Sequence, residues 1–210
     1  MVRRIAPAVV GVLAAAACLV AACDPAAPEG ATSSRFAAAK KETGGRGGVF
    51  CEQQWPAAAP GARPYTAIPE RPLPAAPAGD AVVAGAAGAW KWVNLWATWC
   101  LPCVEEMSLL ARWQRSLAKD GIALDLELWS VDEDAAQLTR FLASTAVPGR
   151  VRWLRAPGDL PAVLASLGAD RAAGIPVHAL VDSAGNLRCL RVGAVHEEDY
   201  GAVKAILSGA

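Results

Sequence analysis

The chain has 210 residues, 54% of them hydrophobic, and its 20 basic side chains balance 20 acidic ones, so its formal net charge is zero. A balanced charge gives no reason to expect binding to nucleic acid or to an anionic membrane surface. The length allows one domain of ordinary size together with a terminal extension.

The first 22 residues are typical of an export signal. Arg3 and Arg4 precede an almost wholly apolar run over residues 5–20, which is too short and too rich in alanine to favour a transmembrane helix. The end of this run and the residues after it, Leu-Val-Ala-Ala-Cys at residues 19–23, resemble the signal of bacterial lipoproteins, whose cysteine is lipidated. The resemblance implies a lipid anchor on a bacterial membrane, with the rest in the periplasm or extracytoplasmic space. An ordinary secretory signal cleaved nearby is the alternative.

Two stretches poor in large apolar residues follow. Residues 23–50 favour a flexible tether, because their small side chains bury too little surface to offset the entropy of ordering. Residues 51–80 are a Pro/Ala-rich extension, in which we expect a short pairing segment near residues 65–68. Residues 81–210 then suffice for one compact domain.

Strand and helix patterns alternate through that domain. Strands are predicted at residues 90–96, 122–131, 151–154, 177–181 and 187–192, and helices at residues 102–119, 134–145, 159–167 and 196–207. Asp134 is the expected N-cap of the second helix, and residues 182–186 form a hairpin turn. The alternation favours an α/β fold with a mixed central β-sheet flanked by helices on both faces.

Cys100 and Cys103 stand where the first of these strands passes into the first helix. Two cysteines at this spacing can form and break a disulfide with each other. A helix N-terminus lowers the pKa of a thiol placed there, so the reactive thiolate forms more readily. The pair therefore predicts redox chemistry without a further cofactor. A metal site would use the same two ligands, but no second cysteine pair or well-spaced histidine completes a tetrahedral set.

The remaining cysteines suggest a second bridge. Once the signal is removed and Cys23 takes a lipid, four cysteines are left, an even set that is compatible with disulfides in an exported chain. If Cys100 and Cys103 cycle, Cys51 and Cys189 become a candidate structural bridge, worth about 4–5 kcal/mol in the chain-entropy model. Two buried free thiols are the alternative.

Three motifs in order resemble the TlpA/ResA-like thiol-disulfide oxidoreductases of the thioredoxin superfamily. The first is Trp-Ala-Thr-Trp-Cys-Leu-Pro-Cys at residues 96–103, followed by Glu106 and Met107. The second is Gly-Ile-Pro at residues 174–176, which resembles the cis-proline loop facing the redox pair. The third is Val-Gly-Ala at residues 192–194, which resembles the glycine turn beside it. The resemblance implies a thioredoxin-like fold.

The resemblance also implies roles for individual residues. Cys100 would be the exposed nucleophile, Cys103 the resolving thiol, and Glu106 the group that moves protons at the redox site. Pro176 would follow a cis peptide bond. The surface that binds an extended client segment would include Trp99, Leu101, Pro102, Ile175 and Gly193.

Some positions depart from the family pattern or have structural alternatives. Glu106 has the alternative of a first-turn carboxylate that interacts with the helix dipole. Thioredoxins proper carry a buried aspartate where this chain has Asn94. His178, two residues beyond Pro176, could tune the thiolate, but strand alternation allows it to point away, and a structural histidine is favoured. The acidic run at residues 132–134 is expected to be a solvated loop rather than a metal site.

The leading hypothesis is an exported, membrane-tethered thiol-disulfide oxidoreductase. The resemblance implies that it reduces disulfides of exported proteins, such as apocytochrome c or copper-site assembly factors, as a monomer supplied with electrons by a membrane partner resembling DsbD or CcdA. Leu101 and Pro102 add no positive charge or histidine to stabilise the Cys100 thiolate strongly, which favours a reductant. The alternatives are a disulfide-forming oxidant, a metal-binding module and a non-catalytic partner-docking module.

Overall fold

The computed structural model describes residues 50–57, 60–78 and 88–209. The predicted signal, the lipidation site Cys23 and the tether up to residue 49 lie outside these residues, as does the boundary predicted at residue 81. No helix within the described segments is long and apolar enough to cross a membrane.

The described segments contain a mixed eight-stranded β-sheet. Strand β5 pairs in parallel with β4 and β6, and β7 runs antiparallel to both β4 and β8. The order across the sheet is β1-β8-β7-β4-β5-β6-β3, with β2 also paired to β8. The strands are β1 Gln53–Gln54, β2 Arg63–Pro64, β3 Glu70–Arg71, β4 Trp90–Trp96, β5 Leu124–Ser130, β6 Arg150–Leu154, β7 Val177–Val181 and β8 Asn186–Val192.

Four α-helices accompany the sheet in the described part of the chain: α1 Leu101–Lys119, α2 Ala135–Ser144, α3 Leu160–Leu167 and α4 Tyr200–Leu207. Asp134 caps α2 as predicted, accepting hydrogen bonds from two backbone N–H groups. The strand predicted from residue 122 begins two residues later, because the Ile122 N–H donates to the Leu117 carbonyl and closes the end of α1. The last predicted helix starts as a 3-10 turn, Glu197–Asp199, and becomes α-helical only at Tyr200.

Helix α1 lies against one face of the sheet. Strand alternation places Trp92 and Asn94 of β4 on that face. There Trp92 packs against Trp113 with ring centroids 6.0 Å apart, and Asn94 binds Glu106. α4 packs in turn on α1, through the rings of Tyr200 and Trp113. This face therefore carries the helix that begins at the redox pair.

The opposite face is covered by α3 and by the extension. α2 stays on the face of α1, where the Phe141 ring lies 5.4 Å from that of Trp96. The chain returns from β6 to β7 through α3, and Arg63 of the extension donates hydrogen bonds to two carbonyl oxygens in the last turn of that helix. Lys91 alternates with Trp92 and points to that other face, where its Nζ lies 5.9 Å from the centre of the Tyr65 ring. The structure thus confirms the predicted α/β fold, a mixed central sheet with helices on both faces.

The pairing predicted near residues 65–68 is wrong in position. β2 pairs with β8 and β3 pairs with β6, which lie on opposite sides of the sheet, so residues 65–69 between them must cross its face. A segment that crosses the strands cannot pair with them along its length. Instead its Ile68 side chain is buried in the core.

The predicted tether is also one residue too long, since Phe50 belongs to the folded core. Its side chain is buried, and its ring meets Trp92 edge-on at 6.3 Å. Directly after it, Cys51 is bonded to Cys189, with Cα atoms 5.4 Å apart. The bridge fastens β1 to β8 and so closes the edge of the sheet that β8 would otherwise expose.

Candidate active site

Cys100 and Cys103 form a disulfide at the N-terminus of α1. Cys100 is the N-cap of the helix, and the Cys103 N–H donates to its Sγ over 3.3 Å. Pro102 lies in the same turn and offers no N–H, so Cys103 supplies the backbone donor to this sulfur. When the disulfide is reduced, this N–H and the positive end of the helix stabilise a thiolate on Cys100.

The expectation of an exposed Cys100 was wrong. Cys100 is 0% and Cys103 is 1% exposed, whereas the flanking Trp99 and Leu101 are 36% and 66% exposed. The reason is geometric, because the disulfide turns the Cys100 sulfur inward, to 3.8 Å from the Ile175 carbonyl oxygen. What reaches solvent here is an apolar rim, Trp99 and Leu101, beside a covered sulfur pair.

The three sequence motifs meet around that pair. The peptide bond between Ile175 and Pro176 is cis, as the resemblance implied. The Pro176 carbonyl accepts a hydrogen bond from the Gly193 N–H over 2.8 Å. Gly193 has a φ of 103°, a conformation that favours glycine. The loop that faces Cys100 is therefore held from behind by the glycine turn.

Glu106 is a buried carboxylate one helical turn beyond Cys103. It is 4% exposed. Its Oε1 accepts from Asn94 Nδ2 and its Oε2 from the Val195 N–H, each over 2.9 Å. The side chain thus faces the sheet, and both of its oxygens are occupied by fixed donors.

His178 points toward this carboxylate. It stands opposite Asn94 in the pairing of β7 with β4, so both side chains project from the same face of the sheet. Its ring is fully buried, with Nδ1 3.1 Å from Trp92 Nε1 and Nε2 3.4 Å from Glu106 Oε1. We call Trp92, Asn94, Glu106 and His178 the buried polar cluster.

Asp132 is a site residue that the sequence analysis missed, because it assigned residues 132–134 to a solvated loop. The side chain is 2% exposed. It accepts hydrogen bonds from the backbone N–H and the hydroxyl of Thr98 and from the hydroxyl of Ser130. Burial raises the pKa of Asp132, and these hydrogen bonds only partly oppose the shift. Thr98 and Asp132 each follow the end of a strand by two residues, and these strands, β4 and β5, are parallel neighbours. Their adjacent carboxyl ends were the available signal.

No group of three or more His, Cys, Asp or Glu side chains that could hold a metal ion occurs within residues 50–57, 60–78 and 88–209. The Cys100 and Cys103 sulfur atoms at the N-terminus of α1 are bonded to each other. The arrangement places a disulfide at the helix start and the buried Glu106 carboxylate one turn further along the helix.

Comparisons with family models and with curated proteins find no match. Among solved structures, the chain is similar to a thioredoxin-related protein from Neisseria meningitidis serogroup B (TM-score 0.49, 22% identity, 59% of this chain and 87% of that one). It is also similar to the thioredoxin domain of a thiol-disulfide oxidoreductase from Bacteroides vulgatus (0.47, 19%, 58% and 81%). A third similar structure is a thiol:disulfide interchange protein from Chlorobium tepidum TLS (0.43, 22%, 58% and 81%). At sequence identities of 19–22%, these similarities concern the fold and not the function of the chain.

Proposed function

We propose that this protein is a thiol-disulfide oxidoreductase that acts through a cycling Cys100–Cys103 pair. The observation that carries the proposal is the position of the disulfide. It joins the N-cap to the first turn of α1, where the Cys100 sulfur already accepts a backbone N–H, and it faces the carbonyl of Ile175. A bridge across three residues adds less to stability than one that closes a long loop, but this position favours a reactive thiolate once the bridge opens.

The reaction follows from these positions. In the reduced protein the Cys100 thiolate attacks a client disulfide, which releases one client thiolate and leaves a mixed disulfide. Cys103 then gives its proton to Glu106 and attacks the Cys100 sulfur, so the second client thiolate leaves and the Cys100–Cys103 disulfide returns. The client gains two electrons from the two sulfurs of the protein. One client thiolate takes the proton that Glu106 received from Cys103, and the other takes a proton from solvent, to which Cys100 released its own when it ionised.

Client docking involves the surface around the pair. The apolar rim of Trp99 and Leu101 packs against an apolar client segment. Pro102, which follows Leu101, restricts the backbone of this turn. Backbone groups of Ile175 and the turn at Gly193 flank an extended client segment next to the sulfurs. Clients recognised in this way need a strand-like stretch around an accessible disulfide.

We further propose that the chain is exported and anchored through a lipid on Cys23, with its folded part in the periplasm or extracytoplasmic space. The support is the apolar, alanine-rich leader that ends in small residues before that cysteine. Its clients are then other exported proteins, of the cytochrome c or copper-site assembly type. Because each turnover oxidises the pair, a membrane electron donor resembling DsbD or CcdA restores it. The uncharged Leu101 and Pro102 favour a reductant over an oxidant within the range of about −270 to −120 mV of related folds.

Two measurements test this function. The purified chain is expected to accelerate the reduction of insulin by dithiothreitol, and Cys103→Ser is expected to accumulate mixed disulfides through Cys100. Cys100→Ser is the matched control and traps none. No acceleration and no adducts would show a docking or metal-binding module instead. Equilibration with glutathione gives the direction, since a potential near that of the strong oxidants would overturn the assignment as a reductant.

A further inference from the structure

The His178 ring is held in one tautomer by its neighbours. Trp92 Nε1–H is a donor only, and it lies 3.1 Å from His178 Nδ1. Asn94 Nδ2, also a donor, lies 3.1 Å from the same ring nitrogen while it donates to Glu106. Nδ1 is therefore the acceptor, and the proton of the neutral ring is on Nε2. That N–H lies 3.4 Å from Glu106 Oε1.

Glu106 is in this way surrounded by donors. Asn94 and the Val195 N–H donate to its two oxygens. The His178 Nε2–H is buried and makes no hydrogen bond in this structure, and the Glu106 Oε1 that it faces lies 3.4 Å away.

Other charges near the ring are engaged elsewhere. Arg191 on β8 stands opposite His178 in the strand pairing. Its guanidinium binds the carbonyl oxygens of Ala194 and Phe50 and lies 3.7 Å from Asp199 Oδ2. On β4 the neighbours of the ring are the neutral Trp92 and Asn94, and on α1 the charged neighbour is Glu106. Within the described residues, an effect of His178 on the chemistry of Cys100 and Cys103 is therefore expected to pass through Glu106.

We propose that His178 is a positioning residue of the redox site, whose Nε2–H faces the Glu106 carboxylate and orients it to accept the proton of Cys103. This rests on the proposed function. In the resolving step the S–H bond of Cys103 breaks and an O–H bond of Glu106 forms. The same proton later passes to the departing client thiolate. His178 keeps its own proton throughout, and no electron passes through it.

The test separates the two chemical steps. An aromatic disulfide releases one coloured thiolate when Cys100 attacks it and a second when Cys103 resolves the adduct, and stopped-flow absorbance follows both. His178→Leu is expected to slow the second release about tenfold at neutral pH. The deficit shrinks as the pH rises, because Cys103 then ionises without help. A purely structural loss would instead be the same at every pH, and that result would overturn the proposal.

Two controls define the route. In a Glu106→Gln background, adding His178→Leu changes the second release by less than about twofold, since the coupled partner is already gone. A full additional loss there would contradict the proposal. His178→Gln retains one donor and one acceptor and is expected to restore most of the rate. If the wild-type protein itself releases no second thiolate, the proposed function fails rather than the role of His178.

The wild-type protein gives a check that needs no variant. Nitrogen chemical shifts of the His178 ring are expected to show an unprotonated Nδ1 and a protonated Nε2 at neutral pH, and they should change when Cys100–Cys103 is reduced. The proposal would be overturned by the opposite tautomer, by an imidazolium, or by chemical shifts that stay the same when Cys100–Cys103 is reduced.

Discussion

Asp132 fixes the residues that lead into Cys100. Its carboxylate receives the backbone N–H of Thr98 over 3.1 Å and the Thr98 hydroxyl over 2.6 Å, two residues ahead of the nucleophile. Burial raises the pKa of Asp132 above its ordinary value of 3.8. The folded protein thus holds this proton more tightly than the unfolded chain. The resulting stability is fully present below the ordinary pKa and is lost as the pH rises through the raised one.

Asp132→Asn is expected to remove this pH dependence. The amide keeps an acceptor for Thr98 but does not titrate, so the difference in unfolding free energy between the wild type and the variant should change through the window above pH 3.8. The wild type loses stability relative to the variant as the pH increases. Urea denaturation at a series of pH values measures the difference, and parallel curves would contradict the assignment. Asp132→Ala, which leaves the Thr98 donors unpaired, should be about 1–3 kcal/mol less stable than Asp132→Asn at every pH, since neither variant titrates.

Leu101 tests the apolar rim. Because 66% of it is exposed beside the sulfur pair, Leu101→Ser is expected to lower kcat/KM for insulin by roughly five- to tenfold through lost apolar burial. A small disulfide, which covers less of the rim, should lose less. Glu105→Ser changes an exposed residue one helical turn further along α1 and is the matched control. Equal losses with both substrates would place Leu101 in the chemistry rather than in docking.

Single residues mark the limit of what the sequence predicts at this site. Spacing located Cys100 and Cys103, and the resemblance placed Pro176 opposite them. Burial of the Cys100 sulfur was not predicted, because it depends on where the Ile175 carbonyl comes to lie once the chain has folded. The direction of His178 could not be decided either, since alternation offers two faces and only the register of β7 against β4 selects one.

Elements with a strong period were predictable and short ones were not. The α1 stripe of Leu110, Trp113 and Leu117 is buried as its spacing requires, and the run of β4 was evident from its apolar residues. β1, β2 and β3 have two residues each, too few to show any period. They form where the chain meets the free edges of β8 and β6, and the local sequence does not indicate where those contacts occur.

Gly149 shows how closely β6 approaches its neighbour. Its φ is 68°, and a Cβ added there would meet the Leu126 carbonyl oxygen of β5, a backbone atom that cannot move aside. Gly149→Ala is therefore expected to cost more than the 1–2 kcal/mol of the backbone conformation alone. Gly185→Ala has a similar φ of 82° in open space and isolates that conformational part. Thermal unfolding compares the two, and equal losses would contradict the close approach.

At the scale of the whole molecule, Phe50, the first described residue, packs against the side chains of the site. The Phe50 ring packs on Trp92, whose indole N–H binds His178. The carbonyl of Phe50 also accepts from Arg191, which stands opposite His178. Phe50 thus forms one wall of the buried polar cluster. A thioredoxin-like domain cut at residue 81, as the sequence suggested, would lack this wall and the Cys51–Cys189 bridge.

The two disulfides are expected to contribute different amounts to the free energy of unfolding, because they close loops of different length. All four cysteines are buried, and both pairs have similar Cα separations of 5.4 and 5.3 Å. They differ in span, since Cys51–Cys189 closes 138 residues and Cys100–Cys103 closes three. In the chain-entropy model the double variant Cys51→Ala/Cys189→Ala should lose about 5 kcal/mol of unfolding free energy, against about 2 kcal/mol for Cys100→Ala/Cys103→Ala. Urea unfolding under oxidising conditions gives both values. Equal losses would mean that sulfur packing, rather than restriction of the unfolded chain, is what each bridge contributes.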